Sequence, residues 1–127
     1  MPDYPISEIA VSGDGTRLAV SGRAEQISSD ELLYFVDILD ASTLEIISSV
    51  EVGSRQPDML NLSPDGRWLV YNVDYFELST IDTLTGQKSV LLEGPAEVGA
   101  VDWSPVDGRL AYSVGTATSI MSFTETF

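Results

Sequence analysis

A strand-turn-strand segment that occurs three times constrains the fold more than any other feature of this 127-residue chain. Each copy begins with Ser and ends in an apolar stretch, and the copies read SGDGTRLAV at 12–20, SPDGRWLVY at 63–71 and SPVDGRLAY at 104–112. The three residues before each Ser alternate between apolar and small or polar types, which is the period of a β-strand. One strand-turn-strand unit is therefore predicted three times along the chain.

The turn of each unit carries residues that favour a tight hairpin. In the second copy, Pro64 presets φ for the first corner, Asp65 tolerates the bridge region, and Gly66 supplies a positive φ. We expect these residues to hold the turn. We expect the leucines that follow the turns to fill the space between neighbouring units, at Leu18, Leu69 and Leu110.

The spacing of the copies shows where the units differ. Their initial Ser residues are 51 and 41 residues apart. A second match, ILDAST at 38–43 against TIDTLT at 80–85, places Asp40 28 residues after its Ser and Asp82 only 19 after its own. Nine extra residues therefore lie between the second and third strands of the first unit. We expect this insertion to fall within a loop at 21–31.

Four short strands in a period of about 40 to 50 residues are typical of a β-propeller blade. An immunoglobulin-like sandwich also has short strands, but it would not repeat one turn in register three times. The sequence predicts an all-β fold in one domain, a β-propeller segment of about three four-stranded antiparallel blades at 8–52, 58–92 and 99–123, the third lacking its outer strand. The predicted strands are 8–11, 17–21, 32–39 and 44–52, then 58–62, 68–72, 77–81 and 88–92, then 99–103, 110–114 and 119–123.

The segment at 63–71, with its weaker copies and the turn from Asp82 to Gly86, resembles the WD-like propeller repeat of the TolB type. Relatives of that repeat also form the propeller domains of tricorn-like and prolyl-oligopeptidase-like peptidases. The resemblance extends from Glu8 to Phe123, although Gly13 stands where Pro is usual and Val106 is inserted ahead of its Asp-Gly. It implies a scaffold for protein contacts and carries over no catalytic residue.

Composition excludes several classes of function. The chain has 20 acidic and 6 basic residues, a net charge of -14, and neither Cys nor His. Phosphate backbones and anionic lipids require Lys and Arg, so we expect no binding to nucleic acid or to a membrane. A disulfide, a thiolate nucleophile, a Ser-His-Asp triad and the usual zinc site are excluded. We therefore expect no enzyme activity, no cofactor and no metal.

Two other chemistries are disfavoured by the sequence. Asp58, Asp74 and Asp102 could converge on the channel of a propeller and act as paired carboxylates in glycoside hydrolysis, but chance proximity is common in so acidic a chain. Calcium requires six to eight oxygen ligands, and no spacing like Asp-x-Asp-x-Asp-Gly is present. The N-terminal residues lack the apolar run of a signal peptide, so we expect a soluble chain whose compartment is undetermined.

A propeller is a closed ring of blades, and the need to close this ring indicates which partners the chain requires. Propellers close with four to eight blades, and closure removes exposed sheet edges. With fewer than three complete blades, the first and last blades would each expose an apolar face. The chain is thus expected to be a segment of a larger propeller, to pair with a second copy in a six-bladed ring, or to dock on another propeller-forming chain.

The leading hypothesis is a non-enzymatic scaffold for protein-protein interaction whose binding rim includes the insertion and the loops beside it. Arg23 and Arg55 are the predicted anion or carboxylate contacts, and Tyr75 and Phe76 the apolar anchors; the predicted rim also includes Asp58 and Asp74. The alternative is the gating propeller of a prolyl-oligopeptidase-like serine peptidase whose catalytic domain lies outside this chain. A downstream Gly-x-Ser-x-Gly elbow would favour the alternative.

Overall fold

The computed structural model describes residues 4–57, 59–74, 77–93, 98–103, 109–114 and 117–122. All regular structure in these ranges is β-strand. The strands are β1 Glu8–Val11, β2 Arg17–Gln26, β3 Leu32–Asp40, β4 Ile46–Gly53, β5 Leu60–Leu62, β6 Trp68–Asp74, β7 Glu77–Asp82, β8 Lys88–Glu93, β9 Val98–Trp103, β10 Arg109–Val114 and β11 Ala117–Ser122.

The strands form three antiparallel sheets, each built from neighbours in sequence. Their orders are β1-β2-β3-β4, β5-β6-β7-β8 and β9-β10-β11, and we call them blades 1, 2 and 3. The third sheet has three described strands, as predicted. Within the described ranges, the expectation of antiparallel four-stranded units, followed by a third unit with three strands, is confirmed.

The pairing of the strands shows which residues occupy the same position in different blades. Val11 of β1 pairs with Leu18, and Leu62 of β5 pairs with Leu69, so Val11 and Leu62 occupy the same place in their blades. Because side chains alternate along a strand, one face of each blade points to the preceding blade and the other to the following one. The equivalent pairs used below are Ile9 with Leu60, Gly15 with Gly66, and Asp37 with Ser79.

The core lies between the blades. Blades 1 and 2 share one cluster and blades 2 and 3 share another, so blade 2 is apolar on both faces. Each fully buried Val, Leu or Ile side chain in these clusters contributes about 1.5 to 3 kcal/mol by leaving water. The first cluster is Ala19, Val36, Ile38, Val50, Val52, Leu60, Leu62, Leu69, Tyr71 and Ile81, and the second is Trp68, Val70, Leu78, Trp103 and Leu110.

In blades 1 and 2 the repeated Ser closes the hairpin turn, a role that the sequence pattern did not reveal. In blade 2, the hydroxyl of Ser63 donates to Asp65 Oδ1 at 2.7 Å and accepts the backbone N–H of Trp68 at 2.9 Å. Ser12 makes the equivalent bonds in blade 1 and is equally buried. Gly66 has a φ of +78°, as the turn prediction required.

The turns of blades 1 and 2 also join these two blades to each other. The backbone N–H of Asp14 donates to the carbonyl of Pro64 at 2.9 Å, across the boundary between blades 1 and 2. The side chain of Arg17 lies over Gly66, because a Cβ on that glycine would stand only 2.7 Å from Arg17 Cγ. Blade docking therefore has a fixed backbone register as well as an apolar core.

The second repeated motif proves to be a turn between the third and fourth strands. Asp82 Oδ1 accepts the backbone N–H of Leu84 at 3.0 Å, and its carboxylate receives two bonds from Arg67, the shorter 3.0 Å. The pKa of Asp82 lies below its ordinary value because Arg67 hydrogen bonds to it. Asp40 caps the equivalent turn by accepting from Ser42 N–H at 2.8 Å.

The nine-residue insertion differs from its prediction. The expected strand at 17–21 continues to Gln26, and β3 pairs with this extension at Arg23 with Phe35 and at Gln26 with Leu32. Only a tight connection at 27–31 remains, closed by a bond of 3.1 Å from Ile27 N–H to Glu31 O. The expected loop is therefore mainly a longer hairpin, since the apolar start of β3 can pair with the insertion.

Candidate functional site

The predicted rim residues are only partly within the described structure. Asp58, Tyr75 and Phe76 lie outside the described residues. Asp74 ends β6, where its backbone pairs with Glu77, and its side chain is also outside the description. Their grouping into one binding rim stays a prediction.

The two predicted arginines have different surroundings. Arg55 is exposed in the connection between β4 and β5, and it makes no hydrogen bond or ion pair with a described residue. Arg23 was expected in a loop, free to contact an anion. It lies on β2 instead, where it holds the carboxylate of Asp37.

The carboxylate of Asp37 is fully buried at the centre of a polar cluster. Arg23 Nε and Nη2 donate to its two oxygens, each at 3.2 Å, and the hydroxyl of Tyr4 donates to Oδ2 at 2.6 Å. Ser49 Oγ donates to Oδ1, and the guanidinium stacks 4.2 Å from the ring centroid of Phe35. Every oxygen of this buried charge is therefore satisfied, as a stable internal ion pair requires.

Electrostatics keep the pair ionised. Burial raises the pKa of Asp37, but the hydrogen bonds from Arg23, Ser49 and Tyr4 together outweigh burial and hold this pKa below its ordinary value. The hydrogen bond to Asp37 raises the pKa of Arg23. An ionised carboxylate has no proton to donate as a general acid, and the four hydrogen bonds to Asp37 occupy the oxygens that a general base would use. One sequence signal could have located it, since Asp37 is the sole charged residue in the apolar run from Leu32 to Leu39.

Residues ahead of β1 lie against the same side of blade 1. Ser7 N–H donates to Ser21 O at 2.8 Å, which continues the β1-β2 ladder. A Cβ on Gly22, whose φ is +134°, would stand 2.1 Å from the carbonyl oxygen of Pro5. Gly22 therefore allows the segment at 4–7 to run close enough for Tyr4 to reach Asp37.

The side of blade 1 that faces away from blade 2 carries Ile9, Val11 and Asp37, and we call it the open face. Ile9 is 56% exposed and Val11 57%, whereas the equivalent residues of blade 2, covered by blade 1, are 7% and 3% exposed. The difference is large although the strand register is the same. At Ile9 and Val11 the open face thus lacks the cover that blade 1 gives to Leu60 and Leu62 of blade 2, while Asp37 on the same face is covered by Tyr4 and Arg23.

Two features of the turn show the same contrast. Gly15 has a φ of +75°, nearly that of Gly66, but a Cβ placed on Gly15 meets nothing within 4 Å. Arg17 occupies the corresponding space over Gly66. The carbonyl of Pro64 accepts a bond from Asp14, and no described residue donates to the equivalent carbonyl of Gly13. At the turn, the open face therefore has the same features as the joint between blades 1 and 2, whereas Tyr4 and Arg23 cover the part of this face around Asp37.

A cleft of about 280 Å³ opens between blades 1 and 2 toward the outer strands. Tyr71 lies in its wall, only 2% exposed, and its hydroxyl bonds to no described residue. Burial raises the pKa of Tyr71 to about 12, with smaller contributions from Glu77 and Glu51. The phenol is therefore neutral at physiological pH. The lining residues are Val52, Tyr71, Glu77, Ser79, Lys88, Ser89 and Val90.

A second cleft, of about 250 Å³, lies where the ends of β1, β5 and β9 approach each other. Asp102 is exposed there, and it is the one carboxylate among the described residues lining this cleft. The carboxylate pair considered from the sequence is not tested, because Asp58 and the side chain of Asp74 lie outside the description. The lining is Val11, Gly13, Asn61, Leu62, Pro64, Asp102 and Trp103.

Within the described ranges, no three Asp or Glu side chains are grouped so that they could hold a metal ion. That part of the chain also contains no helix long and apolar enough to cross a membrane.

Comparisons with known proteins agree on the fold. Neither a protein-family model nor a curated protein sequence matches the chain. Among solved structures, Hsv2 of Kluyvelomyces marxianus matches with a TM-score of 0.68 at 14% identity, over 98% of this chain and 37% of that one. The β-propeller domain of the Trilobed protease from Pyrococcus furiosus matches with a TM-score of 0.63 at 14% identity, over 88% and 34%.

The WD40 repeats of RRP9 match with a TM-score of 0.62 at 11% identity, over 88% of this chain and 33% of that chain. The chain thus spans about a third of the length of each of these proteins. Likeness at such low identity establishes the fold alone. The predicted fold class is confirmed, and the chain is an all-β segment of a β-propeller with WD40-like blades.

Proposed function

We propose that this chain is a non-enzymatic β-propeller scaffold that binds protein, and that its first binding surface is the open face of blade 1. One observation carries the proposal. Ile9 and Val11 are more than half exposed, while their equivalents Leu60 and Leu62 are buried by a neighbouring blade. A second blade-like surface, from the same propeller or from another chain, would cover them.

The energetic gain from such cover is substantial. Burying the exposed half of Ile9 and of Val11 contributes about 1 kcal/mol each, from the transfer of apolar surface out of water. The free Gly13 carbonyl and the empty space over Gly15 add a backbone register for the docking surface. Cover of this face is therefore both favourable and directional.

In this proposal the repeat is of the TolB type. The supporting residues are the turn at 63–66, closed by Ser63 and Asp65, and the capped turn at Asp82. These are the segments that carry the sequence resemblance. Their side chains are engaged in holding turns, which agrees with a scaffold whose motif residues have no chemical role.

The predicted rim becomes a second, weaker contact surface in this proposal. Arg55 is its exposed cation, available to a carboxylate of a partner protein. Arg23 is assigned a structural role instead, because Asp37 and Phe35 occupy its guanidinium.

A second candidate function is the gating propeller of a serine peptidase. The supporting observation is the fold likeness to the propeller domain of the Trilobed protease. In this case the neighbouring blades would belong to the same polypeptide, and a peptidase domain with a Gly-x-Ser-x-Gly elbow would accompany them. Sequencing the native reading frame around this segment separates the two functions.

Sedimentation velocity of the purified chain tests the scaffold proposal. We expect an assembly heavier than the 13.7 kDa of one chain, since the open face requires cover. A monomer of 13.7 kDa that melts cooperatively would refute the proposal, because the open face would then be stable in water.

A further inference from the structure

We propose that the cleft between blades 1 and 2 binds an arginine side chain of a partner protein, next to Glu77 and the hydroxyl of Tyr71. This inference rests on the proposed function, because it gives the chemistry of a contact that a protein scaffold would make. It follows from the polar groups in the wall of this cleft and from the way blade 1 fills the equivalent place.

The cleft of about 280 Å³ is lined by both apolar and buried polar side chains. Val52 of blade 1 and Val90 of blade 2 supply apolar surface, while Tyr71 and Ser79, only 2% and 4% exposed, supply hydroxyl groups. Neither hydroxyl bonds to a described residue. Because buried polar groups are normally hydrogen-bonded, these two hydroxyls mark the cleft as the place of a polar ligand.

The charge of this cleft favours a cation. Glu77 is half-buried in the wall and makes no ion pair with a described residue. Burial, then Glu77 and Glu51, raise the pKa of Tyr71 to about 12, so the phenol stays a neutral hydroxyl that can accept an N–H bond. Lys88 is the one cation in the lining, but it pairs with Ile81, four residues along β7 from Glu77 and so roughly 13 Å away.

Blade 1 fills the equivalent place with an arginine of its own. Asp37 occupies the position of Ser79, and its carboxylate accepts two bonds from Arg23, each at 3.2 Å. The hydroxyl of Tyr4 donates to the same carboxylate at 2.6 Å. A guanidinium, a carboxylate and a phenol therefore already meet once at this position of a blade.

Blade 2 has the carboxylate and the phenol but lacks the arginine. Asp74 pairs with Glu77 as Arg23 pairs with Phe35, each just after a bulge, so an acidic residue stands where blade 1 has its cation. Arg55 is exposed in the connection between the two blades and does not line the cleft. A guanidinium beside Glu77 is therefore expected from another molecule.

The size of the cleft suits a single side chain. Its volume lies below the roughly 300 to 1,000 Å³ of sites for drug-sized ligands. The aliphatic part of an arginine would lie against Val52 and Val90, and its five N–H donors would serve the carboxylate of Glu77 and the two hydroxyls. The net charge of -14 also attracts a basic partner at long range, so binding should weaken as ionic strength rises.

Titration of the full chain with butylguanidinium, the analogue of an arginine side chain, tests the cleft. Saturable shifts of the amide NMR signals of Ser79 and Val90 are expected. N-butylurea, a neutral molecule of the same shape, should bind at least about tenfold more weakly, because it lacks the charge that Glu77 balances. This comparison requires no variant of the protein.

A peptide pair tests whether a protein supplies the cation. Acetyl-Gly-Gly-Arg-Gly-Gly-amide should shift the same two amides, and the peptide with Ala at its centre should not. Binding of butylguanidinium without binding of the arginine peptide would overturn the assignment to a protein partner, because the cleft would then accept only a free small cation.

Three variants locate the binding. Glu77→Gln should weaken the binding of butylguanidinium at least about tenfold, and Tyr71→Phe about threefold to tenfold, since they remove a charged and a neutral hydrogen-bond partner. Glu45→Gln is the matched control, because Glu45 is exposed between β3 and β4 and its charge is screened by solvent, so affinity should change by less than about twofold. Circular dichroism shows that each variant keeps its fold.

The outcomes separate this inference from the function on which it rests. Absence of shifts at Ser79 and Val90, equal binding of N-butylurea, or an equal loss in the Glu77 and Glu45 variants overturns the arginine site. The scaffold proposal then stands, because it is tested by the mass of the assembly. A monomeric wild type overturns the scaffold proposal, whereas specific binding of the arginine peptide would still establish the site.

Discussion

Replacing Asp37 with Asn tests whether the buried ion pair stabilises blade 1. The substitution keeps the size of the side chain and removes its charge. Asn has one oxygen where Asp37 has two, so its amide nitrogen must face one of the N–H groups of Arg23, which cannot accept a hydrogen bond. Tyr4 and Ser49 can rotate their hydroxyls, so their bonds are weakened rather than lost.

The magnitude follows from these contacts. A hydrogen bond to a charged group contributes about 1.5 to 3 kcal/mol, and removal of one partner of a buried pair costs about 3 to 5 kcal/mol when the other stays buried. The Arg23 side chain is 26% exposed, so water can solvate part of its charge after the change. We therefore expect Asp37→Asn to lower the free energy of unfolding by about 2 to 3 kcal/mol, and Tm by roughly 10 °C.

Thermal melts followed by circular dichroism at one fixed protein concentration measure this loss, because assembly makes Tm depend on concentration. Asp30→Asn is the matched control, since Asp30 is exposed and its loss should change stability by less than about 0.5 kcal/mol. The folded-state pKa of Asp37 is depressed, so its contribution is complete above its ordinary pKa of 3.8 and declines as pH falls below that value. Equal stability of wild type and variant at pH 7, or a difference that does not shrink toward pH 3, would refute the reasoning.

Three further predictions concern other positions. Tyr71→Phe should leave the free energy of unfolding nearly unchanged at pH 7. The wild type should lose about 2 to 3 kcal/mol of this free energy between pH 10 and 12, because the folded pKa of Tyr71 lies above its unfolded value, and the variant should not. Urea melts at alkaline pH measure the loss, and identical curves for the two proteins would contradict the prediction. In urea melts of the dilute chain, Gly66→Ala should lower the free energy of unfolding by about 1 to 2 kcal/mol more than Gly15→Ala. Both glycines have a positive φ, but only Gly66 lies under Arg17. Equal losses for the two variants would show that the contact with Arg17 is unimportant. Gly22→Ala should expose the segment at 4–7 to limited proteolysis, because the added Cβ would overlap a backbone oxygen at 2.1 Å; an unchanged cleavage rate would refute that close approach.

The fold was predictable because its signal is repeated and local. The Ser-to-Gly turns and the alternation before them fix the hairpins, and spacing fixes the number of strands for each blade. The conformation of the insertion was predicted wrongly, because nine extra residues can form either a loop or an extension of the hairpin, and their number does not distinguish the two. The strand pairs from Arg23 with Phe35 to Gln26 with Leu32 show that the extra residues remain in the sheet.

The site was less predictable, for physical reasons. Arg23 was predicted to contact a partner because it lies in the insertion, and insertions concentrate where function is added. In the structure its guanidinium binds Asp37, 14 residues away, which is buried through strand register and through Tyr4, 33 residues from it. Likewise, the exposure of Val11 reflects the absence of a neighbouring blade among the described residues, which no pattern in β1 itself can reveal.

The two apolar clusters have a consequence for how the chain opens. Each blade touches only the blades beside it, so its stability is a sum of its own sheet and its nearest-neighbour contacts, as in a one-dimensional array. Blade 2 has two such contacts and blades 1 and 3 have one each among the described residues. Fraying thus begins at the two ends and reaches β6 and β7 last. The slowest amide exchange belongs to the central hairpin, and the end blades, which would meet a partner, are the parts that open most readily.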